Sequence, residues 1–265
     1  MNASAEPTAS ERGGPQFIPR PETWRPGRAA PWSSPDFDVE QIPALDLDRV
    51  REVFPSQRRG RPSPVEASGA APSAVLVAFS TGAPGHEGLQ ILLTRRAWGL
   101  RTHSGEMAFP GGRCELGEEP RDAAVREAWE ETDLDPAAVE TLGELDHLTT
   151  VTRRAYIVPQ VAVITEPVTL SASPAEVDEI LSVPVEELLR PEVFREEQWG
   201  DSHQHRPVYF FELVGNTVWG ATAAILRQCL ALLVGADPGS LVDLDPARAA
   251  PTGYRLAPAY RDRVV

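Results

Sequence analysis

The stretch from Gly111 to Leu134 reads GGRCELGEEPRDAAVREAWEETDL, and it leaves the chain few options. Nothing between Pro120 and Thr132 breaks a helix, and proline suits a first helical turn. At about 100° per residue, Ala124, Val125, Ala128 and Trp129 share one arc, and Glu127, Glu130 and Glu131 share the opposite one. One face is predicted to pack and the other to present three carboxylates. Like charges at this spacing repel, and no basic residue on the carboxylate arc stands four positions away to relieve them. The helix follows Phe109-Pro110-Gly111-Gly112, a turn that lets backbone carbonyls approach whatever the carboxylates hold. A plain solvated acidic face is one reading. A hard divalent cation, which prefers oxygen ligands, is the reading that also answers the repulsion.

Around this helix the pattern alternates between strands and helices. AVLVAFS and GLQILLTRR are short apolar runs suited to buried strands, joined by the loop TGAPGHEG. LGELDHLTTV and AYIVPQVAVIT read as further strands, and Pro159 in the second predicts an edge position or a bulge. RPVYFFELVGNTVWG reads as a hairpin turning at Gly215-Asn216, and GATAAILRQCLALLVG as a helix ending at Gly235. VPVEELLR is predicted to hold a short helix, and another is predicted near 44–54 with Leu45, Leu47, Val50 and Val53 apolar. Strands mixed with three or four helices predict an α/β (α+β) sandwich around a mixed sheet. Residues 1–35, rich in Pro, Gly, Ser and Arg without periodicity, are expected to form a disordered tail. Residues 36–73 are expected to supply a short helix and a linker, 74–235 the domain and 236–265 a second tail.

Charge bounds the partners. The formal net charge is −14, which repels nucleic acid and anionic membranes at long range. An anionic substrate would need local help from metal ions and arginines. All 25 basic residues are arginine, so Schiff-base or lysine-nucleophile chemistry is excluded. Two cysteines without a CxxC pair predict neither a disulfide framework nor a zinc site, and a cytoplasmic setting.

Gly112, five residues, Glu118, seven residues, then Arg126-Glu127-Ala128-Trp129-Glu130-Glu131 resembles the Nudix box, GX5EX7REUXEEXGU with U aliphatic. Leu134 fills the last aliphatic slot, and Asp133 stands where the family usually has Gly. Asp tolerates left-handed geometry better than most residues, so the departure bears on the helix end rather than on the metal site. The resemblance implies a Nudix α/β/α sandwich over 74–235. It implies Glu127 and Glu131 as principal ligands of Mg²⁺ or Mn²⁺, with Glu130 a further ligand or a water-positioning carboxylate. Gly112 or Gly111 would offer a backbone carbonyl, and Glu118 and Arg126 would form a structural ion pair bracing the loop against the helix.

The preceding segment, LLTRRAWGLRTHSGEMAFPGG, is similar to the motif of the coenzyme A pyrophosphatase branch, LLTxRxxxLRxHxGxxxFPGG. This implies substrate contacts from Arg96, Arg101 and His103, although His103 could equally be structural. Arginine forks suit the diphosphate and 3′-phosphate of coenzyme A. The implied reaction is hydrolysis of coenzyme A or its thioesters to 3′,5′-ADP and (acyl-)4′-phosphopantetheine, without a covalent intermediate. The general base is Glu130 or a carboxylate of SASPAEVDEI, Glu176 first and Glu179 second; helix capping near Pro174 is an equal alternative for these two. Other readings stay open: a Nudix pyrophosphatase for ADP-ribose, NADH or another nucleoside diphosphate derivative, a non-catalytic binding module, and either a monomer or a homodimer.

Overall fold

The computed structural model describes residues 12–34, 37–38, 40, 42–63, 72–82, 87–150, 154–200 and 205–239. Along the chain run β1 (Arg25–Pro26), α1 (Leu47–Val53), β2 (Pro72–Ser80), β3 (Gln90–Arg96), β4 (Met107–Ala108) and β5 (Gly111–Arg113). They are followed by α2 (Pro120–Thr132), β6 (Val139–Glu144), β7 (Leu148–Thr149), β8 (Tyr156–Ile164) and β9 (Val177–Pro184). The last elements are α3 (Val185–Leu188), β10 (Phe194–Gly200), β11 (His205–Leu213), β12 (Asn216–Trp219) and α4 (Gly220–Val234).

The main sheet runs β4-β3-β2-β8-β6, with β5 on β2, β7 on β8 and β9 on β3. β2 and β8 are parallel and their other partners antiparallel, so the sheet is mixed. Side chains alternate across it. Ala74, Leu76 and Ala78 meet Ala123, Ala124 and Ala128 of α2, whereas Val77 and Phe79 meet α1 and α4 on the opposite face. This is an α/β/α sandwich. The three alanines let α2 lie close to the sheet. Pro159 sits in a central strand rather than at an edge, and the irregularity it imposes falls on its neighbour, where the register of β6 shifts between Thr141 and Glu144. The hairpin turns one residue earlier than expected, at Val214-Gly215, with Leu213 paired to Asn216.

The second sheet, β1-β10-β11-β12, differs most from expectation. Tyr209, Phe211 and Leu213 face the main core, while Val208 and Phe210 point outward. Residues 12–34, expected as disordered tail, cover that outer face. Ile18 and Trp24 join Trp199, Val208, Phe210 and Trp219, and Trp32 packs inward on Phe194 and Phe211. Charge seals the contact. The Arg20 guanidinium forks onto Glu197 at 2.9 and 2.5 Å, Arg195 reaches both Glu197 and Glu212, and Arg12 meets Glu187 at 2.5 Å. The expected tails at 1–11 and 240–265 lie outside the described residues.

Candidate active site

Helix α2 begins with Pro120 at its first position and ends at Asp133, whose φ of 57° is left-handed, the geometry usually left to glycine. The loop before it is braced as its sequence implies. Arg126 donates Nε to Glu118 Oε1 at 2.8 Å and Nη2 to Glu118 Oε2 at 3.0 Å, and Nη2 also reaches the carbonyl of Arg113. The fork holds the Glu118 carboxyl down at about 2.

The arcs of α2 differ from those predicted. Trp129 stays half-exposed, whereas Glu131, only 3% exposed, turns in beside the alanines. Glu127 lies against Gly112, where a Cβ would come within 2.3 Å of its carboxylate carbon. The Gly111 N–H donates to Glu131 Oε2 at 3.2 Å. The two carboxylates therefore lie against Gly111 and Gly112, which form strand β5 on β2 rather than the expected turn, instead of facing away from the packed side. Nor is the repulsion left wholly unrelieved. Arg126 Nη1 reaches Glu127 at 3.1 Å and Glu130, four residues on, at 3.3 Å.

Burial dominates the electrostatics. It raises the proton affinity of Glu127, against the pull of Arg126. It raises Glu131 to about 7, against the Gly111 hydrogen bond and Arg96, and the charges of Glu176 and Glu127 add to the rise. The nearby arginines do not offset the burial of these carboxylates, and a cation would supply the further positive charge. The donor set therefore fits a divalent ion. Yet among the described residues no three His, Cys, Asp or Glu side chains converge as a ready-made cage. That suits Mg²⁺, which binds through one or two carboxylates, waters and substrate phosphate rather than an all-protein cage.

The other predicted residues divide into two groups. Arg96 lies on the α2 face, with Nη1 at 3.8 Å from Glu131 Oε1. Glu176 sits just before β9, its carbonyl accepting from the Ala97 N–H at 2.8 Å, and its charge is felt by both Glu127 and Glu131. Glu179 is engaged elsewhere, 2.7 Å from Arg95 on the other face of β3. Arg101 and His103 are exposed on the loop between β3 and β4. His103, at a left-handed φ of 57°, pairs with Glu106 at 2.8 Å, and that bond raises its proton affinity. Neither touches the carboxylates of α2.

A sheet-packed helix that places a buried and a half-buried carboxylate against a glycine pair, with arginines to one side, defines a class of phosphate-directed metal sites. The Nudix domain description matches residues 71–204, about half of the chain. The chain belongs to the Nudix family, hydrolases acting on diphosphate bonds that generally need divalent metal ions. It is similar to "Uncharacterized Nudix hydrolase NudL" of Photorhabdus laumondii, 35% identical over 144 residues, covering 52% of this chain and 74% of the relative. The protein of the same description from Escherichia coli is 36% identical over 155 residues, covering 56% and 77%. "Nudix hydrolase 22, chloroplastic" of Arabidopsis thaliana is 32% identical over 183 residues, covering 66% and 59%. No helix among the described residues is long and apolar enough to cross a membrane.

Proposed function

We propose that this protein is a Mg²⁺- or Mn²⁺-dependent pyrophosphohydrolase that cleaves the diphosphate of coenzyme A or an acyl-coenzyme A. The products are 3′,5′-ADP and (acyl-)4′-phosphopantetheine. One observation carries the reading: the segment 92–112, with its coenzyme A-type pattern, delivers Arg96 to the face that holds Glu131. Glu127 and Glu131 would hold the cation, with Glu130 at its margin and the Gly112 backbone alongside. When bound, the cation neutralises diphosphate charge and lowers the pKa of the attacking water. Glu176 takes the proton from that water. Arg96 binds phosphate oxygens, Arg101 on its exposed loop binds the 3′-phosphate, and His103 helps to position substrate. Glu118 and Arg126 keep the loop and helix in register. A domain over 74–235 would carry this chemistry in a cytoplasmic enzyme, working on a small molecule rather than on nucleic acid or membrane.

Mass-spectrometric product analysis tests the reading, with coenzyme A, acetyl-coenzyme A, ADP-ribose and NADH each incubated with and without Mg²⁺ or Mn²⁺. The expected result is metal-dependent release of 3′,5′-ADP. A large preference for ADP-ribose or NADH refutes the substrate.

A further inference from the structure

Between Arg95 and Arg96 the pairing of β3 with β9 slips. Arg95 stands opposite Glu179 and Arg96 opposite Val177, so Asp178 is an extra residue in β9. Such bulges bend a strand and re-aim what precedes it. Here the bulge falls one residue into β9, two residues after Glu176, the last residue of the turn before the strand. Two carboxylates are crowded at the bulge, and one side chain holds both. Arg95 donates Nε to Asp178 Oδ2 at 2.8 Å, its Nη2 lies 2.7 Å from the same oxygen, and Nη1 lies 2.7 Å from Glu179 Oε2. Nη1 also reaches Asn216 Oδ1 at 3.1 Å, which ties the bulge to β12. Beyond it, among the described residues, Glu176 is held through its backbone, by Ala97 N–H to its carbonyl and by its own N–H to Ser173 O at 3.0 Å.

The geometry points to Arg95 as a positioning residue: by clamping the Asp178–Glu179 bulge it sets where Glu176 stands relative to Glu127 and Glu131. This rests on the reading of Glu176 as the proton acceptor given above. A planar guanidinium can span two carboxylates and an amide oxygen at fixed angles, which an ammonium cannot. Arg95 itself projects from the face of β3 opposite Arg96, away from Glu131.

The test compares Arg95→Ala, Arg95→Lys, Glu176→Gln and the Arg95→Ala/Glu176→Gln pair, with saturating Mg²⁺ and whichever of coenzyme A and ADP-ribose the wild type turns over faster. Loss of a positioned proton acceptor costs on the order of 10²-fold or more, and a displacement near 1 Å costs about as much. Arg95→Ala is expected to lower kcat roughly ten- to a hundredfold at a KM within about twofold. Arg95→Lys should recover part of that, and the double variant should be no slower than Glu176→Gln alone. If Arg95→Ala keeps wild-type kcat while Glu176→Gln is slow, or if the two losses multiply, the positioning role is wrong and Glu176 retains its own. Wild-type kcat in Glu176→Gln overturns both. Should Arg95→Ala fail to fold, Asp178→Asn with Glu179→Gln releases the same clamp from the other side and is judged by the same criteria.

Discussion

Glu131→Gln should make the metal-free protein more stable at pH 8 and less responsive to metal. In the folded chain Glu131 is 3% exposed and holds its proton until about pH 7, against an ordinary value of 4.5. A group with a raised folded value lets the native state bind more protons than the unfolded chain between those limits. The contribution of this group to stability is therefore fully present below about 4.5 and is lost as pH rises through 7. At about 1.4 kcal/mol per decade of proton affinity, the full loss is ~3 kcal/mol. Glutamine keeps an oxygen to accept from the Gly111 N–H and carries no charge to desolvate. At roughly 2–4 °C per kcal/mol for a chain of this size, the variant should melt about 6–12 °C above wild type at pH 8 in a chelator. The gap should shrink to near nothing at pH 4.5. Adding Mg²⁺ at pH 8 should raise the wild type and leave the variant nearly unmoved. Thermal unfolding followed by circular dichroism at the two pH values reads all of this. A variant that melts at or below wild type at pH 8 would refute the claim that Glu131 is a costly buried charge awaiting a cation.

Glu127→Gln should abolish turnover while changing the melting temperature little, because it removes a half-buried charge without opening a cavity; near-wild-type kcat with Mg²⁺ present would remove Glu127 from the site. Gly112→Ala drives a methyl to about the position of the Glu127 carboxylate, so activity should fall at least tenfold with the fold intact, checked by kinetics beside circular dichroism. Arg101→Ala should raise KM for coenzyme A more than for dephospho-coenzyme A, and equal effects would exclude a 3′-phosphate contact. Glu197→Gln deprives Arg20 and Arg195 of a shared buried carboxylate and should cost about 3–5 kcal/mol in urea unfolding, whereas a loss under about 1 kcal/mol would mean that water reaches the network.

Much of α2 was legible because its signals are local: Pro120 opens it, Asp133 closes it, and Glu118 and Arg126 carry complementary charge at a loop's reach. Its orientation was not. Reading apolar residues as the packed face put Trp129 inside and Glu131 outside, and the chain does the reverse. Small alanines set which face approaches the sheet, and a carboxylate can be buried there when a backbone N–H receives it. The longer strands β2, β3, β6 and β8 followed from their apolar runs, but the short β4 and β5 and the long β9 did not; VDEILSVP has acidic residues at its start and its pairing with β3 is a long-range fact. Hence the role of Arg95 is visible only in the register, which shows the carboxylates it faces. Residues 12–34 escaped for the same reason. Ile18, Trp24 and Trp32 are isolated among prolines, and what they bury lies about 180 residues further on; the tryptophans alone were a usable hint that the segment is not a solvated tail.

That separation bears on the order of folding. Arg20 meets Glu197 and Gly14 meets Thr217 across 177 and 203 residues of chain. Closing so long a loop is entropically costly before any contact rewards it. During synthesis the early segment must wait, its arginines solvated, until β10 to β12 have been made. The outer layer of the second sheet therefore cannot close before those strands exist. A ribosome-stalled chain ending before residue 190 should leave residues 12–34 open to protease, and release of the full chain should protect them.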